Sequence, residues 1–185
     1  MNEAELIASI RAAKERLGGR LAIAAHHYQR PEIVALADFV GDSYKLAVEG
    51  ARSEARYIAF CGVRFMAESA AVLARPGQLI LSPDLAAGCP MADMVDAQAA
   101  EKALAMLDGI LSARAGAGVV APVTYMNSYA DMKALTGRRS GSICTSSNAA
   151  LIVKRYLDEG RPVFFSPDFN LGANTARQLG DDLSR

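Results

Sequence analysis

The chain has no surplus of either charge. Twenty basic residues balance twenty acidic ones among 185, so bulk charge argues against a nucleic-acid or anionic-membrane partner. No apolar run approaches the roughly 18 residues a bilayer-spanning helix needs. Glu3, Glu5, Arg11, Lys14, Glu15 and Arg16 interrupt any signal-peptide core. Cysteine is scarce and odd in number, at three, which reads as free thiols in a reducing, cytoplasmic setting rather than a disulfide framework. Histidine occurs only at positions 26 and 27. Neither a phosphate-binding P-loop nor a GxGxxG fingerprint occurs. What is plentiful is apolar side chain, 51% of residues, enough for a sizeable core.

Short apolar runs alternate with helical patterns. Asn2 and Glu5 have capping-box spacing and open a helix over Glu3–Leu17, which Gly18 and Gly19 end. Strands are expected at Leu21–Ala25, Tyr57–Cys61, Gln78–Leu81, Val119–Thr124, Ser142–Thr145 and Pro162–Phe165. Gln78–Leu81 reads as buried. Between them, helices are expected at about 31–39, after 43, at 64–74, 96–107, 129–137 and 149–157. Val40–Ser43 reads as a loop, with Asp42 or Ser43 capping the next helix. Strand–helix alternation with short connections predicts parallel sheets covered by helices on both faces.

The chain reads as duplicated. Ser82-Pro83-Asp84 and Gly88 recur as Ser166-Pro167-Asp168 and Gly172, 84 positions on, with Ala173 in place of Cys89. Cys61 and Cys144 keep nearly the same spacing. The expectation is α/β: tandem three-layer α/β/α units with parallel sheets, the first over 1–112 with its N-terminal helix, the second over 113–185. The second has no evident counterpart of Gly41-Asp42-Ser43.

Polar residues gather after the strands, where parallel α/β domains collect ligands: His26, Tyr28, Ser43 and Cys89 in one unit, and Tyr125, Asn127, Thr145, Ser146, Ser147 and Asn148 in the other. Facing each other across a pseudo-symmetry axis, these clusters would converge on one cleft. Hydroxyls, amides and helix N-termini suit a small anion. The residues alone leave alternatives open. His26 and His27 can be structural hydrogen-bonders or catalysts. Cys89 sits in a Gly/Pro-rich loop, but one thiol is not a metal site. Cys61 and Cys144 read as buried small hydrophobes. Capping explains Ser146-Ser147-Asn148 by itself, Phe65-Met66 reads as core, and Arg138-Arg139 as solvated loop.

Several stretches carry a resemblance: Ala25-His26-His27-Tyr28-Gln29-Arg30-Pro31, Ala37-Asp38-Phe39-Val40-Gly41-Asp42-Ser43, Phe60-Cys61-Gly62-Val63-Arg64-Phe65-Met66, Pro83-Asp84-Leu85-Ala86-Ala87-Gly88-Cys89-Pro90-Met91, Val123-Thr124-Tyr125-Met126-Asn127-Ser128 and Cys144-Thr145-Ser146-Ser147-Asn148. They are collinear, and together they resemble the quinolinate synthases. The resemblance implies three similar α/β units about a pseudo-threefold axis, of which two are present here. It also implies condensation of iminoaspartate with dihydroxyacetone phosphate to quinolinate, a transferase reaction of NAD biosynthesis. A [4Fe-4S] cluster would be held by one cysteine from each unit. On this resemblance Cys89 is a cluster ligand, His26 and Tyr28 are catalytic, and His26, Ser43, Tyr125, Asn127 and Ser146 contact substrate. Cys61 and Cys144 do not match ligand positions. The other two cluster cysteines, a further histidine and a His-x-Glu pair correspond to positions past Arg185. The 185 residues are therefore expected to be inactive alone. Exposed surface near Ala86, Ala87 and Leu171 is expected to favour self-association, and an aspartate oxidase or aspartate dehydrogenase to act upstream. The competing readings are a cluster-free dicarboxylate or phosphate binding module and an interaction protein.

Overall fold

Ile10, Ala13 and Leu17, spaced three and four apart, are the half-buried side of the first helix, none of whose residues is fully buried, and the local signals fix its ends. In the computed structural model, which describes residues 1–112 and 118–180, helix α1 spans Glu3–Leu17 with the Asn2–Glu5 capping box formed in both directions. Gly18 ends it at φ 53°, a conformation that favours glycine, and its amide bonds Lys14 O. The described elements continue as β1 (Leu21–His26), α2 (Pro31–Val34), β2 (Phe39–Gly41), α3 (Ser43–Arg52), β3 (Tyr57–Cys61), α4 (Arg64–Leu73), β4 (Leu79–Leu81), α5 (Ala97–Ser112), β5 (Ala121–Tyr125), α6 (Ala130–Arg138), β6 (Ser142–Cys144), α7 (Ala149–Asp158), β7 (Val163–Ser166) and α8 (Phe169–Gln178). No helix among the described residues is long and apolar enough to cross a membrane.

The chain forms two compact units, Met1–Gly88 and Cys89–Arg185. The division falls ahead of the boundary expected between 112 and 113, a region whose residues 113–117 lie outside the described ones. The reason is packing. Ala100 and Leu104 of α5 join Val120, Met132 and Leu135 in one buried cluster, so this helix belongs to the second unit.

In the first unit all strands are parallel, in the order β2-β1-β3-β4. Ala22 to His26 of the central strand β1 are buried, as a strand covered on both faces should be. Phe60 and Ile58 on β3 and Leu46 and Phe65 on the helices are fully enclosed, and Met66 is buried, so the Phe65-Met66 pair is core as expected. The helix expected over 31–39 stops at Val34, and the expected loop contains a strand. Asp38 causes the difference. Its amide donates to Ile23 O and its carboxylate accepts from Ile23 N, both at 2.8 Å, and from Lys14 Nζ at 2.9 Å. The chain is thereby drawn into register beside β1, with His26 opposite Gly41. A second correction concerns β4. It lies at the edge of the sheet, and Leu79 and Leu81 are 47% and 48% exposed rather than buried.

The second unit has a parallel sheet in the order β6-β5-β7. Its strands divide their side chains by the period of two. Ala121 and Val123 meet Ala149, Val153 and Tyr156 of α7, with Leu171 of α8 packed on them. Val120 and Phe164 meet α5 and α6. Helices thus cover both faces, giving three α/β/α layers. Leu171 is half-buried in this packing and contributes little to open surface. Arg139 is not solvated loop either. Its guanidinium binds Asp108 Oδ2 at 2.8 and 2.9 Å, while Asp108 Oδ1 accepts from Val120 N at 2.9 Å. Nearby, the backbone of β5 passes close to Gly141, where an added Cβ would sit 2.1 Å from Pro122 O.

The duplication is real, but its register differs from the 84-residue spacing. In the second unit, β7 pairs with the central strand β5, whereas in the first unit β4 pairs with β3 and not with β1. The matching orders are β2-β1-β3 and β6-β5-β7. On this basis β6 is the counterpart of β2, so the first unit's Gly41-Asp42-Ser43 does have an equivalent. One hydrogen bond marks the match: His27 N donates to Gly41 O at 3.2 Å, and Met126 N donates to Cys144 O at 2.8 Å. The two Ser-Pro-Asp stretches are unlike. Asp168 caps α8 through Leu171 N, whereas Asp84 turns an irregular loop through Ala86 N.

Candidate functional site

The carboxyl ends of the central strands hold the residues singled out above. His26 is the last residue of β1 and Tyr125 the last of β5. The fold makes these two equivalent, and two residues further on Tyr28 corresponds to Asn127. Ser43 and Ser146 each stand two positions beyond the paired residues that end the neighbouring strands, Gly41 and Cys144. The same three places are therefore polar in both units.

In the first unit the chain turns immediately after His26, with Gln29 N bonding His26 O at 2.9 Å. The His26 ring is 5% exposed. It stacks on His27 with centroids 4.3 Å apart and meets the Tyr28 ring edge-on at 4.5 Å. Its Nδ1 accepts from the Tyr28 amide at 3.2 Å. Burial lowers its pKa, His27 lowers it further, and Asp42 partly opposes both. Tyr28 itself is 83% exposed, its phenol directed to solvent. Ser43 is buried at the first turn of α3, where Asp42 caps the helix by accepting from Lys45 N at 2.8 Å. A seryl hydroxyl at a helix N-terminus is suited to an anionic oxygen.

In the second unit Tyr125 is half-buried against the α7 side of the sheet. Ser128 Oγ donates to Tyr125 O at 2.9 Å, and Lys133 Nζ donates to Ser128 O, which fixes the turn that carries Asn127. After β6, the expected cap is absent: Asn148 Oδ1 accepts from Thr145 N at 2.7 Å instead of from α7. Thr145 and Ser147 bond each other at 2.9 Å, and Ser146 stands exposed between them.

Cys89 is half-exposed at the head of the second unit. Cys89 O accepts from Asp93 N at 3.1 Å, and Asp93 Oδ1 accepts from the Tyr129 hydroxyl at 2.7 Å. The thiol's loop is thus anchored two residues past Asn127. Sequence reasoning did not count Asp93 or Tyr129 among the site residues; an acid four places after a loop cysteine is too common a signal to single out. Cys144 is 1% exposed, with burial pushing its thiol up to about 12. Cys61 is half-buried and its pKa is also raised by burial. No group of three or more His, Cys, Asp or Glu side chains among the described residues is placed to hold a metal ion. A four-iron cluster needs three or four thiolates, so these residues do not by themselves fit one.

The family model described as "Quinolinate synthetase A protein" matches residues 8–184. The chain is also similar to proteins named quinolinate synthase. That of Streptomyces coelicolor is 50% identical over 184 residues, 98% of this chain and 46% of the relative. That of Acidobacterium capsulatum is 49% identical over 174 residues, 94% and 46%. A Geobacillus protein is 45% identical over 184 residues, 99% and 49%. The chain spans just under half the length of these curated relatives.

Proposed function

Since the chain belongs to the quinolinate synthetase A family, we propose that it supplies part of the site that condenses iminoaspartate with dihydroxyacetone phosphate to quinolinate in NAD biosynthesis. The observation that carries this reading is the equivalence of the two units. His26/Tyr28 with Ser43, and Tyr125/Asn127 with Ser146, occupy the same places on two folds of the same topology. A reaction between two small anions needs hydrogen-bond donors at several points of the substrate, and each unit by itself carries such a set. His26 contacts and orients the substrate, and Tyr28 serves proton transfer. Ser43, Tyr125, Asn127 and Ser146 hold carboxylate and phosphate oxygens.

Cys89 is assigned as one thiolate ligand of a [4Fe-4S] cluster, with the remaining ligands supplied from outside these 185 residues. Such a cluster, when bound, supplies a Lewis-acidic iron. The setting is cytoplasmic, where free thiols persist, and an aspartate oxidase or aspartate dehydrogenase provides the unstable imine. A hybrid tests this reading directly. These 185 residues would replace the matching segment of the Streptomyces coelicolor quinolinate synthase, and quinolinate formed from the two substrates would be measured without oxygen. The hybrid is expected to form quinolinate, and Tyr28→Phe to lower kcat by roughly a hundredfold. A folded, cluster-bearing hybrid that forms none would sink the proposal.

A further inference from the structure

Two backbone groups set the protons on the paired imidazoles. A peptide N–H can only donate, so the Tyr28 amide, 3.2 Å from His26 Nδ1, requires a lone pair on that nitrogen. A carbonyl can only accept, so Gly41 O, 3.1 Å from His27 Nδ1, requires a proton there. The neutral rings therefore hold opposite tautomers, with the proton on Nε2 of His26 and on Nδ1 of His27. The two rings lie stacked at 4.3 Å with an interplanar angle of 26°.

We propose that His26 acts as a fixed hydrogen-bond donor through Nε2–H, not as a proton acceptor, and that the Tyr28 backbone amide is its positioning group. The ligand it suits is an oxygen acceptor: a carbonyl, carboxylate or phosphate oxygen of the substrate. For His26 to accept a proton at Nε2 while neutral, its own proton must first move to Nδ1, which breaks the bond from Tyr28. Charging the ring while Nδ1 stays unprotonated is impossible, because imidazolium carries both protons. Burial and the neighbouring His27 further favour the neutral ring. The turn is what creates the constraint, since it brings the amide two residues on back over the ring. Proton removal from substrate then falls to a different group. The tautomer follows from the geometry alone; its catalytic meaning rests on the quinolinate synthase reading.

The chain has two histidines, so His27→Gln leaves a single imidazole to observe. With ¹⁵N-labelled histidine, a long-range proton–nitrogen correlation spectrum of the deprotonated ring should show Nε2 protonated and Nδ1 bare. His27→Phe, which keeps a stacked ring, should show the same. A proton on Nδ1, or a rapidly averaged pair, in a folded variant overturns the proposal. In the hybrid enzyme, His26→Gln keeps a donor near the Nε2 position and should hold activity within about tenfold, while His26→Glu, an acceptor, should lose about a hundredfold or more. The reverse order also overturns it. The spectrum is read without substrate, so its outcome is independent of whether the hybrid makes quinolinate.

Discussion

The three thiols stand in three environments, and reactivity should separate them because the thiolate is the reacting species. Cys144 is enclosed by the α7 face of its sheet and its thiol is pushed up to about 12. Cys61 is half-buried, with its pKa raised by the same desolvation. Cys89, half-buried like Cys61, lies in a loop rather than at the end of a strand. With a thiol reagent at neutral pH, Cys89 is expected to be modified first, Cys61 more slowly, and Cys144 only after denaturant is added. Labelling of Cys144 at the rate of Cys89 in the native chain, followed by mass spectrometry, would refute this ordering. The enclosure of Cys144 was legible because it ends an apolar strand. The tautomers of His26 and His27 were not, since they depend on where Gly41 O and the Tyr28 amide lie in space. Arg139 misled for a similar reason: its partner, Asp108, is 31 positions away in sequence.

Asp108 ties three elements together, accepting from Arg139 after α6 and from Val120 at the approach to β5 while itself standing on α5. The carboxylate is about one-quarter exposed, as is Arg139, so solvent screens the pair only in part. Asp108→Ala removes the partner of a backbone amide as well as the ion pair, and about 2 kcal/mol should be lost. Asp108→Asn keeps an acceptor for Val120 N and should lose about half as much. Urea midpoints at a constant slope measure both, and an unchanged midpoint for the alanine variant would deny the carboxylate this role. Elements with local signals were readable in the sequence, among them the capping box of α1 and the apolar runs of β1, β3 and β5. Strand β2 was not, because Gly41, Asp42 and Ser43 give turn signals and the pairing that makes it a strand comes from Ile23 and Asp38. The repeat was recognised but placed in the wrong register. The Ser-Pro-Asp likeness drew β4 against β7, and only strand pairing distinguishes an edge strand added beyond β3 from one beside the centre.

At the scale of the whole chain, apolar side chains remain in solvent: Val72, Leu79, Leu81 and Leu85 in the first unit, Leu151 and Phe169 in the second. The edge strand β4 carries two of them, at the open margin of its sheet, a combination that invites association. The chain alone is expected to self-associate at micromolar concentration, and Leu79→Glu with Leu81→Lys to reduce it. Sedimentation showing a monodisperse monomer would contradict that expectation. The family and most of the candidate site were legible in the sequence because collinear motifs survive where topology cannot be seen. The equivalence of Ser43 with Ser146 needed the strand order. The measurement closest to the central claim is iron and sulfide content of the anaerobically reconstituted Streptomyces hybrid, read on size-separated monodisperse fractions. The hybrid should bind about four irons per chain, Cys89→Ser should bind no stoichiometric cluster, and Cys144→Ser and Cys61→Ser should match the parent. A full cluster in the Cys89→Ser protein, or its loss in Cys144→Ser alone, would contradict the account.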